Sequence, residues 1–489
     1  MFKKISMGVA LTLAMGMANA SEYYIVVPLK GLAFAFEKNA AVTLQDYLLP
    51  AGKVNAPYAP FDLTSLVQVT GDPRYSSEKL TWEVVGGALP AGLSVNAGVI
   101  SGTPTAKNLS GNAFEVKASY LSKSAQKVYT IVVNGETLDV VAVSIAGGHA
   151  CAITAVGGVK CWGRNDVGQL GDGTQVNSLS PVNVIGLTSG VTRISVGTVH
   201  TCAITSGGAA KCWGYNNNNR LGAKLGAEWY TQPQSVYGIS TGAIDITARA
   251  AHSCALLSSG KVKCWGGNYD GQLGTGTSGV PGGYGPDEVV NLTDAIKVEV
   301  GGNSTCALTS TGALKCWGIG SGYASTTPTV IPGLESGVVS FGTGMNHTCA
   351  VTSSGAAKCW GWNYYGELGT GSGLYNPYPT PTQVVGLTSG VSSLSTWDYS
   401  TCAVMTNGQL KCWGANFEGQ LGTGGLTGSP TPVTVTGLQD VKSVSVGEYS
   451  VCAVSGSNEA YCWGRNNYGQ LGTGNTTQQT SPQKLVAQP

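Results

Sequence analysis

The chain has 489 residues, of which 42% are hydrophobic and only 11% charged, with a formal net charge of +1. That length exceeds one ordinary compact core and calls for several domains or an array of repeats. The near-neutral balance, with no Lys/Arg run beyond the first residues, excludes the clustered cations that nucleic acid demands, and 72 glycines describe tight turns between short strands rather than helices.

The N-terminus predicts a cleaved export signal. Lys3 and Lys4 precede an apolar stretch from Met7 to Met17, and Ala18-Asn19-Ala20 supplies small residues before Ser21. The apolar run is short for a bilayer span, and the rest of the sequence offers no other, so no transmembrane segment is expected after cleavage of residues 1–20. An exported protein with an even number of cysteines is expected to oxidise them.

Residues 21–135 contain no cysteine and read as a separate β-sandwich, clearest over 67–135. Its signatures are Leu80-Thr81-Trp82-Glu83-Val84, then Leu89-Pro90-Ala91-Gly92-Leu93-Ser94-Val95, then Gly98-Val99-Ile100-Ser101-Gly102-Thr103-Pro104. Alternating strands are expected at 113–119 and 127–133, and the apolar stretch Gly31 to Phe36 offers another. This segment resembles the immunoglobulin-like module of bacterial surface proteins, which implies a spacer or adhesive stalk.

From residue 137 onward one unit is copied seven times: a Cys, nine residues, then Cys-Trp-Gly. The pairs are Cys151 with Cys161, Cys202 with Cys212, Cys254 with Cys264, Cys306 with Cys316, Cys349 with Cys359, Cys402 with Cys412 and Cys452 with Cys462, which use all 14 cysteines. First members are 51, 52, 52, 43, 53 and 50 residues apart, and a steady period near 50 marks one supersecondary unit in series. Let n be the first Cys of each pair. Position n+6 is Gly in six copies and Asn458 in the last, the residues that accept a left-handed backbone. A hairpin loop ending there sets n opposite n+10 on adjacent antiparallel strands, where a disulfide can form. The rival reading, zinc, uses pairs two to four residues apart. Upstream of each pair lies an apolar strand such as Val191 to Val196; before it comes a shorter Pro-containing strand such as Pro181 to Leu187. Four short strands in each of seven units predict a seven-bladed β-propeller over 137–489. The whole chain is therefore expected to be all-β: a propeller preceded by a sandwich. The first copy lacks a preceding Pro-containing strand and Ser481 to Val486 follows the last, so the C-terminus is expected to close the ring by completing the first blade.

The stretches Gly197 to Ala203, Gly260 to Gly266 and Asn466 to Gly474 resemble the regulator of chromosome condensation repeat family across about 137–489. That resemblance implies a seven-bladed propeller that binds other macromolecules. Members include a nuclear nucleotide-exchange factor, a plant ultraviolet receptor and a secreted bacterial inhibitor of β-lactamases. The receptor's Trp and Arg before the repeated His-Thr have no match here. That position holds Gly148, Val199, Ala251, Asn303, Asn346, Tyr399 and Tyr449. Copy four lacks the Asn…Gly-Gln-Leu-Gly stretch after Trp317-Gly318.

Recurrence assigns most conspicuous residues to scaffold. The seven Trp of Cys-Trp-Gly are expected to wedge between blades, beside small residues such as Ala152 and Ala203. His149, His200, His252 and His347 all occupy n−2, one per blade, so they cannot converge on an ion and are expected to cap strands. Asp166, Asp172 and Asp270 sit in Gly/Asn-rich loops that read as turns rather than calcium sites. No nucleophile elbow, carboxylate pair or phosphate loop is present, so no catalytic residue, metal or cofactor is expected. The loop just before n−2 varies among copies, and Trp397, Asp398, Tyr399, Glu448 and Tyr449 there make a candidate anchor patch. The Gly- and Pro-rich insert from Thr275 to Asp287 is a second candidate. Together these readings predict an exported, disulfide-stapled, non-catalytic protein that binds an extracellular or envelope protein or glycan at the cell surface. An inhibitor of a secreted enzyme is the alternative, and a propeller hydrolase or lyase a further one.

Overall fold

The computed structural model describes residues 39–485, apart from 107, 135–137, 225, 282–284, 321–323 and 373–377. The expected export signal and the apolar stretch 31–36 lie outside the described residues. The chain divides into two compact units, Met1–Gly135 and Glu136–Gln488.

The first unit is built from a four-stranded sheet, a three-stranded sheet and a two-stranded sheet. Its long hairpin, Asn108–Tyr120 with Lys123–Asn134, alternates apolar residues inward. Phe114, Val116, Tyr129, Ile131 and Val133 from it join Leu63, Leu66 and Ile100 in one buried core.

The second unit consists of seven antiparallel sheets in series, each made of strands consecutive along the chain, four in six of the sheets and five in the third. In the first blade the inner strand is Val140–Ala146, the second His149–Thr154, the third Val159–Gly163 and the outer Ser178–Asn183. The hairpin between second and third strands follows the expected register. Thr154 donates its N–H to the Gly158 carbonyl, Gly157 has φ of 77°, and Asn458 in the last copy has φ of 61°. Each n therefore faces n+10: Cys151 lies opposite Cys161 and Cys452 opposite Cys462. The sulfurs bond as that register requires. The bridges are Cys151–Cys161, Cys202–Cys212, Cys254–Cys264, Cys306–Cys316, Cys349–Cys359, Cys402–Cys412 and Cys452–Cys462, with Cα atoms 4.0–4.1 Å apart. Cys264, Cys316 and Cys412, like the second cysteine of every other copy, are therefore bonded within their own blades and not to a neighbouring one. No free cysteine remains among the described residues.

Ring closure differs from the expectation. The strand Gln479–Lys484 pairs with Ala460–Gly464 and completes the last blade, while Ser178–Asn183 completes the first. Each Pro-containing strand folds back onto the Cys-Trp-Gly strand that precedes it, because the connecting loop returns it antiparallel to that strand. Among the described residues no strand is exchanged between the ends; closure comes from packing and from hydrogen bonds such as that of the Val140 N–H to the Asn458 carbonyl. Trp162, Ala152 and Val140 of the first blade share a buried cluster with Cys452, Cys462 and Leu471 of the last.

Every junction repeats that packing. Trp213 clusters with the Cys151–Cys161 bridge of the preceding blade, Trp265 with Cys202–Cys212, Trp317 with Cys254–Cys264, Trp360 with Cys306–Cys316, Trp413 with Cys349–Cys359 and Trp463 with Cys402–Cys412. The Trp lies beside the Ala of its own blade, as with Trp213 and Ala203. In every blade but the fifth, where the Trp360 Nε1 finds no partner among the described residues, the indole N–H reaches back to a carbonyl of the preceding blade: Trp213 to Gln169 at 2.9 Å, Trp162 to Gln470 at 2.8 Å. A Cβ on Gly171 would sit 2.7 Å from the Trp213 Nε1, which is why the Gln-Leu-Gly stretch ends in glycine.

The histidines bridge blades rather than cap strands. His149 Nε2 lies 2.8 Å from Thr201 Oγ1 of the next blade, and His200, His252 and His347 reach Ser253, Thr305 and Thr401 alike. Thr201 spends its own proton on the Gln169 carbonyl, so the imidazole must donate from Nε2–H. Burial holds His149, His252 and His347 neutral, down to about 3.

Candidate functional site

The inner strands surround an axial cavity of about 230 Å³ lined by residues of six blades. Position n−7 faces it and ties the ring together. Ser144 Oγ accepts the N–H of Val196 in the next blade at 3.0 Å, and Ser195, Thr247, Glu299, Ser395 and Ser445 do the same around the circle. In the fifth blade the position is Gly342, which has no oxygen to offer Thr396. The lining also holds the ion pair Lys297–Glu299 (2.5 Å), and Asp245 of the lining pairs with Arg193 (3.7 Å).

Position n−5 is Gly in four copies and Ala146 in the first, and carries Arg249 and Trp397 in the other two. These meet across the ring: the guanidinium lies 4.1 Å from the Trp397 ring centroid and donates to the Thr396 carbonyl at 3.1 Å. Trp397 is therefore 4% exposed and closes the axial cavity instead of standing on the surface. The structure separates it from the other candidate residues.

Asp398, Tyr399, Glu448 and Tyr449 do come together, half-buried on the rim where inner and second strands turn. The Tyr399 hydroxyl bonds Asp398, and the Tyr399 and Tyr449 rings are 6.5 Å apart. Burial, and then Glu448, push Asp398 up to about 6; burial and Asp398 push Tyr399 up to about 12.

The same rim carries the loop after Cys-Trp-Gly, because each n−3 carbonyl bonds the first residue of that loop: Ala415 N–H to Tyr399 O, Trp362 N–H to Asn346 O. One buried Asn staples each such loop. Asn363 accepts the Leu368 N–H at 3.1 Å and donates to Ser372 O at 2.7 Å; Asn416 and Asn466 repeat this. The residues just after the Asn are thus held rigidly outward. They include Tyr365, which meets Tyr399 edge-on at 5.1 Å and Phe417 edge-on at 5.1 Å. Trp362 stacks obliquely on Tyr364 at 4.7 Å. Asn346, Trp362, Tyr364, Tyr365, Glu367 and Tyr399 line an open cavity of about 470 Å³. Sequence reasoning missed Trp362, Tyr365 and Phe417, having classed their loops as turns; the signal was the aromatic pair Tyr364-Tyr365 where the first copy has Asp166-Val167.

The other sequence candidates have local uses. Asp172 accepts from the Thr174 N–H and the Asn165 amide, and Asp166 pairs with Arg164 at 2.5 Å. No cluster of three or more His, Cys, Asp or Glu suited to a metal occurs among the described residues. The insert of the third copy contributes Val280–Pro281 and Asp287–Glu288, each paired with the third strand.

Two profiles described as the regulator of chromosome condensation (RCC1) repeat match this unit. One covers residues 157–204, 407–454 and 457–488; the other covers 140–169, 191–220, 244–272, 295–322, 338–367 and 441–470. A profile named "Putative Ig domain" matches 45–134. The Arabidopsis thaliana ultraviolet-B receptor UVR8 is 30% identical over 325 residues, 62% of this chain and 71% of the receptor. The mitochondrial RCC1 domain-containing protein RUG3 of Arabidopsis thaliana is 28% identical over 59% of this chain and 68% of its own. The human E3 ubiquitin-protein ligase HERC2 is 28% identical, but only 5% of it is covered. Among solved structures, human WBSCR16 superposes with a TM-score of 0.60 at 19% identity, over 67% of this chain and 94% of that one. Yeast RCC1 (Prp20), bound to Kap60, gives 0.59 at 20% identity over 67% and 83%.

Proposed function

Because this chain belongs to the regulator of chromosome condensation repeat family, we propose that its propeller is an exported, non-catalytic binding module that engages an envelope or extracellular protein or glycan through the rim of blades five to seven. The observation that carries the reading is the contrast between scaffold and rim. The disulfides, the Trp wedges, the His bridges and the Asn staples recur from blade to blade, whereas Trp362 and Phe417, 41% and 52% exposed, occur once each, and Tyr365, 44% exposed, has a Tyr counterpart only at Tyr468. Aromatic side chains held rigidly at a surface lose little entropy on contact and are the usual anchors of an interface. Seven buried disulfides support an oxidising destination. The ligase and photoreceptor activities in the names of relatives do not carry over on this similarity.

The test pairs a Tyr365→Ser/Phe417→Ser variant with a control in the opposite hairpin tips, such as Ser457→Tyr. Both are immobilised and offered envelope extracts and a glycan array. The rim variant is expected to lose at least tenfold in apparent affinity for whatever the wild type captures, and the hairpin-tip control to keep it. Equal capture by the rim variant, or turnover of the captured molecule, contradicts the proposal. A stoichiometric complex with a secreted enzyme, with loss of its activity, selects the inhibitor form of the same reading.

A further inference from the structure

We propose that the cavity bounded by Trp362, Tyr365, Glu367 and Tyr399 receives a single cationic side chain, lysine or arginine, of a protein partner. This rests on the binding-rim reading above and narrows it from protein or glycan to a positively charged peptide segment.

The walls are aromatic and the floor is acidic. Trp362 and Tyr365 are both more than two-fifths exposed, so their faces are open to an arriving group. Glu367 forms the floor. It stands at the Gly-Gln-Leu-Gly position that is Gln169, Gln272, Gln420 and Gln470 in four other copies and Arg220 in one. In those four copies the amide oxygen accepts one backbone N–H of its own loop, from Val167, Asp270, Glu418 or Tyr468. Glu367 keeps that structural task, accepting from the N–H groups of Tyr364 at 3.1 Å and Tyr365 at 2.7 Å. A neutral amide therefore suffices for the loop, and the buried carboxylate adds a charge the fold does not require.

That charge has no cation of its own. None of the ion pairs among the described residues uses Glu367, Asp398 or Glu448. Arg249 lies over Trp397 and acts on Asp398, Arg465 lies 5.6 Å from the Tyr449 centroid, and Arg164, which acts on Glu448, is paired with Asp166. Burial raises Glu367 to about 7 and Asp398 to about 6, with Arg249 offsetting part of the rise at Asp398. An ammonium or guanidinium at the aromatic faces would gain cation–π attraction and supply that charge together. A neutral sugar would gain the stacking alone and leave the deficit in place, and so the cationic occupant is favoured.

The probes are N-acetyl-lysine methylamide and N-acetyl-arginine methylamide, titrated into the full-length protein at pH 8 and low salt with backbone amide shifts as readout. Nε-acetylated lysine and methyl glucoside are the neutral comparisons. Both cations are expected to shift residues 362–368 and 399 saturably, and the neutral probes to bind at least tenfold more weakly. Glu367→Gln, which installs the residue of four other copies, is expected to weaken the cations at least fivefold with the disulfides and fold intact. Trp362→Ala, which removes an exposed side chain, gives a second route to the same loss. The inference is overturned if a neutral probe binds as well as lysine, or if Glu367→Gln or Trp362→Ala binds the cations like wild type. If the Tyr365→Ser/Phe417→Ser variant still loses its captured partner while Glu367→Gln keeps it, the rim stands and only the cationic occupant falls.

Discussion

A glycine at position 342 interrupts a ring of oxygens that otherwise links every inner strand to the next. A Cβ added there would lie 3.4 Å from the Thr396 nitrogen and 3.3 Å from its Oγ1, close contacts but open to a small side chain. Gly342→Ser should restore the missing bond to the Thr396 N–H and raise stability by about 0.5–1.5 kcal/mol, the usual net worth of one hydrogen bond. Guanidinium unfolding with a lower midpoint for the variant would contradict this. The titrating residues make a second prediction, and its sign follows from which state holds the proton. Burial lifts the Glu367 carboxyl from 4.5 to about 7, so its contribution to stability is complete below the unfolded value and is lost as pH rises through 7. Glu367→Gln should therefore stabilise the protein by ~1–2 kcal/mol at pH 8 and by nothing near pH 4. The buried histidines act oppositely. His149, His252 and His347 are lowered from 6.5 to about 3, so the unfolded chain gains protons that the folded chain refuses. Stability should fall as pH drops below 6.5, less steeply in His347→Gln; a slope unchanged by that substitution in thermal scans from pH 7 to 4 would count against the bridge.

At the scale of the blade, the weak junction is the one after copy four. The loop missing there is the one whose carbonyl accepts the next blade's indole and hydroxyl elsewhere, and the Trp360 Nε1 and Thr348 Oγ1 are both buried without a partner among the described residues. Hydrogen exchange should reach the second and third strands of blade five, His347–Thr352 and Ala357–Gly361, before those of blade two, His200–Thr205 and Ala210–Tyr215. The reverse order would contradict the assignment of those two atoms as the flaw. The truncation was visible in the 43-residue step, and the hairpin register in the spacing of Cys and Gly, since both depend on local turn geometry. The His bridges were half visible: histidine at n−2 is followed by Thr201, Ser253, Thr305 or Thr401 one copy on, whereas Ser400 and Ser450 are followed by Val451 and Ala150. What was not legible is which neighbour a strand chooses. Gln479–Lys484 carries no mark that it pairs with its own blade and not the first. Trp397 was misplaced for a related reason, because adjacent loop residues point to different sides and only the fold sends n−5 inward while n−3 faces out.

For the whole molecule, the disulfides and the wedges form one device. Each bridge lies under the Trp of the following blade, so a clip stabilises a junction as well as a hairpin. Cys349→Ala combined with Cys359→Ala should cost roughly 2–3 kcal/mol from the small closed loop, plus loss of packing beneath Trp413. It should raise exchange at the junction of blades five and six more than elsewhere; a cost spread evenly over the ring would argue against this coupling. On the proposed reading, the repeated scaffold serves to hold a few rim side chains in place. That claim is tested most directly by hydrogen exchange on the complex with the captured partner. The account predicts protection confined to residues 362–368, 398–399, 417–418 and 448–449. Protection at the hairpin tips 155–158 and 456–459 instead, or none on the rim, would contradict it.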